Sequence, residues 1–160
     1  MKFFLIDKVH EITPTRIVAS KNVSSAEEYL ADHFRSFPVL PGVMMLEALT
    51  QAAAWLLHIG TDFSKSMAVL KEARNLRYGN FVAPGNTLQL EVEKVKDTEK
   101  GATFKATGLI DGTQALTGRL ELVYFNLADK NPQWADTDGK LIENTKRRWA
   151  VLRIQQTVGI

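Results

Sequence analysis

The run GVMMLEALTQAAAWLLHIG, residues 42–60, limits the fold more than any other part of the chain. It is apolar around nearly its whole circumference, so as a helix it must be enclosed on most sides. Pro41 and Gly42 mark its start, because a proline lacking its N–H is tolerated in a first helical turn. Glu47, near the middle, is the anomaly, since burying an ionised carboxylate costs roughly several kcal/mol unless it is paired or protonated. Glu47, Thr50, Gln51 and His58 fall at helical offsets that share one face, and a polar stripe on a buried helix faces a cavity or a partner. A purely structural cap or bridge at a subunit contact is the competing account of Glu47. Periodicity does not separate the two.

A membrane span over Val43–Ile59 is not expected: the segment is a little short, and Glu47 at its centre would cost about 2.5–3.5 kcal/mol on insertion scales. The apolar patch in MKFFLIDKVHEI is interrupted by Asp7 and followed by no small-residue cleavage site, so it does not read as a signal peptide. Enclosure by the chain's own sheet is the remaining solution.

Strands are available for it. RIVASKNV reads as a strand, although its alternation is imperfect, and Ser25 to Glu28 fits a capping box that predicts a short helix over 26–31, delivering the chain to His33. The prolines of FRSFPVLPG then resist helix. After a polar break at Thr61–Ser66, four segments rich in Val, Leu, Thr and aromatics follow: MAVLKEARNLRY, LQLEVEKVK, ATFKATGLI and QALTGRLELVYFN. Pro84-Gly85-Asn86, Glu99-Lys100-Gly101 and Asp111-Gly112 separate the last three joins, which predicts an antiparallel meander with a tight primed hairpin at Asp111-Gly112. One long buried helix with several long strands implies an α+β domain in which the sheet curls around the helix. From Ala128 to Gly139 the chain is polar, and Leu141, Thr145, Trp149 and Leu152 then repeat at helical spacing. The expected division is therefore a domain over 1–126 and a polar linker with an amphipathic basic helix over 127–160.

Composition narrows the function. At 160 residues the chain suits one domain, and with no cysteine it has no disulfide framework, thiolate metal site or thiol nucleophile, which fits a reducing, cytoplasmic setting. Asn22-Val23-Ser24 has the form of a glycosylation acceptor, but nothing else looks secreted. The net charge of +2 is unevenly spread: Lys140, Lys146, Arg147, Arg148 and Arg153 lie in the tail against Glu143. That run reads either as the solvated face of a helix or as a lure for acidic partners. Its aromatics are not interleaved as a stacking platform for nucleic acid requires, so no nucleic-acid partner is expected. His10, His33 and His58 show no metal-ligand spacing, and no metal is expected. No Gly-rich phosphate loop or G-x-S-x-G elbow is present.

HF at 33–34, PVLPGV at 38–43 and MLEALTQA at 45–52 closely resemble the active-site segment of the β-hydroxyacyl-acyl-carrier-protein dehydratases of fatty-acid synthesis, which have the hotdog fold. FFLIDKVHEI, RIVASKNV and YGNFVAPGNTLQLEVE resemble the same family's flanking elements, so the likeness covers roughly residues 3–125 and not the tail. The family pattern places a His, a Pro-Gly pair and an acid at fixed offsets, and His33, Gly42 and Glu47 occupy them here. Glu rather than Asp at the acid position makes the chain look like the dehydratase-only branch. The resemblance implies an antiparallel sheet wrapped around a long central helix, and a homodimer, with a trimer of dimers as the larger form. In it each site takes His33 from one subunit and Glu47 from the other.

It implies dehydration of a 3-hydroxyacyl thioester, the substrate arriving on the phosphopantetheine of an acyl carrier protein and no other cofactor being needed. A histidine, with an unperturbed pKa of about 6.5, is a suitable base for the C2 proton. An apolar enclosure favours the neutral acid that must protonate the leaving hydroxyl, or the group instead holds and polarises the water. Gly42 and Val43 would offer backbone N–H groups to the thioester carbonyl, and Gln51 either orients the acid or is a helix-surface amide. Arg74 and Arg77 are possible carrier contacts. The chain departs from the pattern at Asp32, Arg35 and Ser36, where many members have Gly before the histidine and Pro-Gly after the Phe. A non-catalytic acyl-binding scaffold and a hotdog thioesterase are the alternatives.

Overall fold

The apolar run forms helix α1, Gly42–Gly60, and a six-stranded antiparallel sheet wraps it. The structure, a computed structural model, describes residues 3–157, with side chains as far as residue 153. Residues 1–2 and 158–160, which the expected divisions include, lie outside the described residues. The strands are β1 (Lys8–Ile12), β2 (Arg16–Asn22), β3 (Met67–Tyr78), β4 (Thr87–Thr98), β5 (Gly101–Ile110) and β6 (Thr113–Phe125), in spatial order β1-β2-β4-β5-β6-β3.

The expected meander holds for β4, β5 and β6, which pair in succession. It fails for β3, which pairs with β6 at the far edge. The reason lies in the connection from Gly79 to Asn86, which is too long for a tight hairpin and is pinned across the molecule. Leu40 N–H donates to the Val82 carbonyl at 2.8 Å, and Gly85 N–H to the Val23 carbonyl at 2.8 Å. The β5–β6 hairpin turns as expected, with Asp111 at φ 48° and Gly112 at φ 77°, both left-handed values required by a type I′ turn.

Alternation along β4, β5 and β6 sends Leu88, Leu90, Val92, Phe104, Ala106, Leu120 and Leu122 to the face that holds α1. Each large aliphatic side chain buried there contributes about 1.5–3 kcal/mol of transfer free energy. Ala48 and Ala52, both fully buried, let the helix backbone approach that surface closely. The imperfect alternation of RIVASKNV has a physical cause: Ile17 to Lys21 are all buried, so β2 has no solvated face. By length and composition α1 alone among the described residues is apolar enough to cross a membrane, yet most of it is buried inside this protein.

Two local expectations need correction. No side chain caps the helix before His33, which is a short 3-10 turn over Glu28–Ala31. Glu27 stands at its N-cap, but its carboxylate is taken by Lys21 Nζ at 2.8 Å, and Ser24 rather than Ser25 accepts a backbone N–H, from Ala26. The stretch expected as a linker over 128–139 is fastened down. It comprises 3-10 turns at Leu127–Asp129 and Pro132–Trp134, then helix α2, Ala135–Thr157, which begins before Gly139. Asp138, buried, accepts from the Leu127 and Ala128 N–H groups, each at 2.9 Å, and from the Ser66 hydroxyl. Burial would raise its pKa, but those hydrogen bonds outweigh it and hold the carboxyl below its ordinary value. Farther along α2, Trp149 packs against Trp55 of α1 with ring centroids 5.4 Å apart, and Leu152 joins the core.

Candidate active site

His33 sits just after the 3-10 turn, its N–H bonded to the Tyr29 carbonyl at 3.0 Å. The turn is tied to the sheet by Lys21, which is 6% exposed and whose ammonium bonds Glu27, Asp7 and the Asn22 carbonyl. Phe34 takes a left-handed φ of 54°, and the chain then turns back so that Val39 passes the imidazole. His33 Nδ1 lies 3.0 Å from the Val39 carbonyl. A carbonyl oxygen only accepts, so Nδ1 carries the proton and Nε2 is left with its lone pair. The sequence does not reveal this contact, because it is made by backbone.

His33 opens into a cleft of about 560 Å³, walled by Leu40, Gly42, Val43, Met45, Tyr78 and Phe81 among others. The first turn of α1 forms one wall. Among the described residues no acceptor takes the Gly42 and Val43 N–H groups, whereas those of Met44 and Met45 already donate to the Pro41 carbonyl. A Cβ at Gly42 would lie 2.8 Å from Tyr78 Cε1, so any side chain there must displace the Tyr78 ring from the cleft. Tyr78 is a wall residue that sequence reasoning missed. Only its place at the end of a strand before Gly79 hinted at it.

Glu47 does not line this cleft. It is half-buried, not sealed, within the single chain. The positions of α1 that the sheet leaves at least partly uncovered include Val43, Glu47, Gln51 and Ala54, a stripe at helical spacing. The polar face expected from sequence is thereby divided. Thr50 turns inward and donates to the Leu46 carbonyl at 3.0 Å, and His58 is buried against the Tyr124 hydroxyl, Nδ1 to O 3.2 Å.

Gln51 is fixed by both its ends. Its Oε1 accepts from the Leu5 N–H at 2.9 Å, so its Nε2 must face the Phe3 carbonyl and Glu47, donating to each at 2.9 and 3.0 Å. One carboxylate oxygen of Glu47 is thus held by an amide, and no other partner is found for the carboxylate among the described residues. Among those residues no group of three or more His, Cys, Asp or Glu is placed to hold a metal ion.

The architecture matches known proteins. In the dehydratase heterocomplex ApeI:P from Xenorhabdus doucetiae a chain superposes with a TM-score of 0.68 at 19% identity, covering 83% of this chain and 90% of that one. The PaaI protein from the phenylacetic acid degradation operon of E. coli gives 0.58 at 11% identity, covering 72% and 81%. At these identities the likeness establishes the hotdog fold. Sequence reaches further: the 3-hydroxyacyl-acyl-carrier-protein dehydratase FabZ of Clostridium perfringens is 40% identical over 118 residues, 74% of this chain and 85% of that protein. The protein of the same name from Clostridium kluyveri is 38% identical over 130 residues, 81% and 88% respectively. The model of the FabA-like domain matches residues 1–119, a span that contains His33, Gly42, Glu47 and Gln51. With fold, family model and relatives in agreement over most of its length, this chain belongs to the FabA-like family of 3-hydroxyacyl-acyl-carrier-protein dehydratases.

Proposed function

We propose that the protein removes water from 3-hydroxyacyl chains carried on acyl carrier protein, giving trans-2-enoyl thioesters for fatty-acid synthesis, and that its site is completed by a second copy of the chain. The observation that carries the proposal is the Val39 carbonyl on His33 Nδ1, which leaves Nε2 basic beside the free N–H groups of Gly42 and Val43.

In this reading His33 Nε2 takes the C2 proton of the substrate. Negative charge then develops on the thioester oxygen, where the Gly42 and Val43 N–H groups at the start of α1 receive it. Glu47 of the partner subunit donates a proton to the C3 hydroxyl, which leaves as water, and Gln51 on the same helix keeps that carboxyl oriented. The elimination is redox-neutral, the C2–H pair becoming the double bond as the C3–O pair leaves with water, so acid–base side chains suffice and the phosphopantetheine arm enters only as the substrate's carrier.

Two observations support assembly. The stripe of α1 bearing Glu47 is left partly uncovered by the chain's own sheet, and β3, twelve residues long, is paired on one side only. A long edge strand invites antiparallel continuation by a two-fold mate. Arg74 and Arg77 on β3 are exposed cations suited to an acidic carrier, although Arg74 is already engaged by Glu72 at 2.7 Å.

The test follows the ultraviolet absorbance of an enoyl thioester as it is hydrated. His33→Ala and Glu47→Gln should each abolish the loss of absorbance. Mixing the two inactive variants under exchanging conditions should restore about a quarter of wild-type activity, because random two-fold dimers then contain one intact composite site in four. No recovery on mixing would place both groups in one chain, and release of free thiol would point to hydrolysis instead.

A further inference from the structure

A second pocket lies toward the other end of α1 and does not contain His33. Its volume is about 480 Å³, and its walls come from three parts of the chain: the N-terminal segment, the second half of α1, and α2, all of which lies beyond the matched family model. Phe4, Ile6, Trp55 and Leu141 make it apolar, while Gln51 and Arg148 bring polar groups to its lining.

Arg148 is the informative residue. The three consecutive cations of α2 are disposed differently: Lys146 lies over the Phe63 ring, Arg147 is paired with Glu143, and Arg148 sits over the Phe4 ring with its Cζ 3.3 Å from the centroid. No ion pair or hydrogen bond to a carboxylate is made by Arg148 among the described residues. Asp7, the acidic group that acts on it, is itself committed to Lys21 and to the Asn22 N–H. Desolvation on the pocket wall lowers the pKa of the guanidinium. A half-buried cation with donors to spare, at the edge of an aromatic cavity, is complementary to a ligand with an anionic head and an apolar body.

We propose that this pocket is a binding site for a free carboxylate amphiphile of medium chain length, its carboxylate on Arg148 and its hydrocarbon between Phe4, Trp55 and Leu141. The site is separate from the cleft that holds His33, and it stands independently of the dehydration reaction. An occupant would nevertheless lie one hydrogen-bonded amide away from Glu47, because Gln51 borders the pocket and donates to that carboxylate.

The experiment is calorimetric titration of the full chain with decanoate and, in parallel, decanol, with Trp55 fluorescence as a second signal. Saturable decanoate binding is expected, tighter than that of decanol. Arg148→Gln should weaken decanoate roughly tenfold, the loss of one charge-assisted contact, and leave decanol unchanged. Circular dichroism and melting of Arg148→Gln check that it folds. His33→Ala should bind decanoate as the wild type does. Equal affinity for acid and alcohol, no effect of Arg148→Gln, or loss of binding in His33→Ala would each overturn the proposal, the last by moving the ligand to the other cleft.

Discussion

His33 and His58 are both tied down through Nδ1, yet the two ties have opposite senses. At His33 a carbonyl oxygen forces the proton onto Nδ1 and leaves Nε2 as a base. At His58 the partner is the Tyr124 hydroxyl, which accepts from the Lys65 N–H at 3.1 Å and, with Nδ1 the one acceptor found for its own proton among the described residues, donates to His58. That places the proton of His58 on Nε2 and uses up its lone pair. The surroundings differ as much. His33 is half-exposed on a turn held by side chains, whereas His58 is buried on α1 between Trp55, Phe63 and Tyr124. A histidine becomes a catalyst when its free nitrogen is basic and reachable, and the sequence alone cannot distinguish these two.

The largest effect should come from exchanging their fates. His33→Ala should lower the hydration rate by about 10²–10⁴-fold, the range of a general base, while His58→Gln should leave the rate within a few-fold of wild type at permissive temperature. If His58→Gln, still folded by circular dichroism, slowed turnover as much as His33→Ala, the division between working and structural imidazole would be wrong.

Next in size is a pH effect confined to His58. Burial pushes its pKa down to about 4, against about 6.5 in the unfolded chain. Between those values the unfolded chain binds the proton and the folded chain does not, so stability is complete above pH 6.5 and falls as the pH drops toward 4. The loss attributable to this one group is up to about 3 kcal/mol. Urea unfolding of wild type and His58→Gln at several pH values isolates it: the wild-type curve should be the steeper through this window. Parallel curves would show that His58 does not titrate as a buried group.

Tyr124→Phe should be milder, costing about 1–3 kcal/mol, because it orphans the Lys65 N–H and removes the donor to His58 Nδ1. It should leave the His33 chemistry untouched. A fall in hydration rate beyond a few-fold in the folded variant would show that the two ends of α1 are coupled.

Much of this layout was legible in the sequence, and the parts that were not share a cause. The enclosed helix and its start at Pro41-Gly42, the three strands β4 to β6, and the Asp111-Gly112 turn follow from period and from local backbone preference, which neighbouring residues carry. The far-edge position of β3 and the fastening of residues 127–138 by Asp138 depend on contacts between distant segments, as does the Lys21 clamp. Asp138 reads as one more polar residue in a polar stretch until Ser66 and the turn ahead of it are brought alongside. At the candidate site His33, Gly42 and Glu47 were visible through the family pattern, and Gln51 through the polar stripe at helical spacing. The Val39 carbonyl and the Leu5 N–H, which set the orientation of His33 and Gln51, were not, because backbone groups leave no residue signature.

The smallest predicted effect tests how the looser histidine is positioned. His58 rides on a long helix, but His33 follows a single 3-10 turn whose main side-chain tether is Glu27 on Lys21. Glu27→Gln keeps an oxygen to accept from Lys21 and removes the charge, and Lys21 retains Asp7 and the Asn22 carbonyl. With all three acceptors of the ammonium retained, the stability change amounts to one weakened hydrogen bond, about 1 kcal/mol. The looser turn lets the imidazole wander from the cleft, and small misplacements of a catalytic group are expensive, so kcat should fall by roughly several-fold. KM should barely move, since Glu27 does not line the cleft. The pH dependence of kcat should keep its shape, because the Val39 carbonyl still fixes the tautomer. An unchanged kcat would mean that the Tyr29 and Val39 carbonyls hold His33 without help, whereas a change confined to KM would move the role of this turn from positioning the base to admitting the substrate.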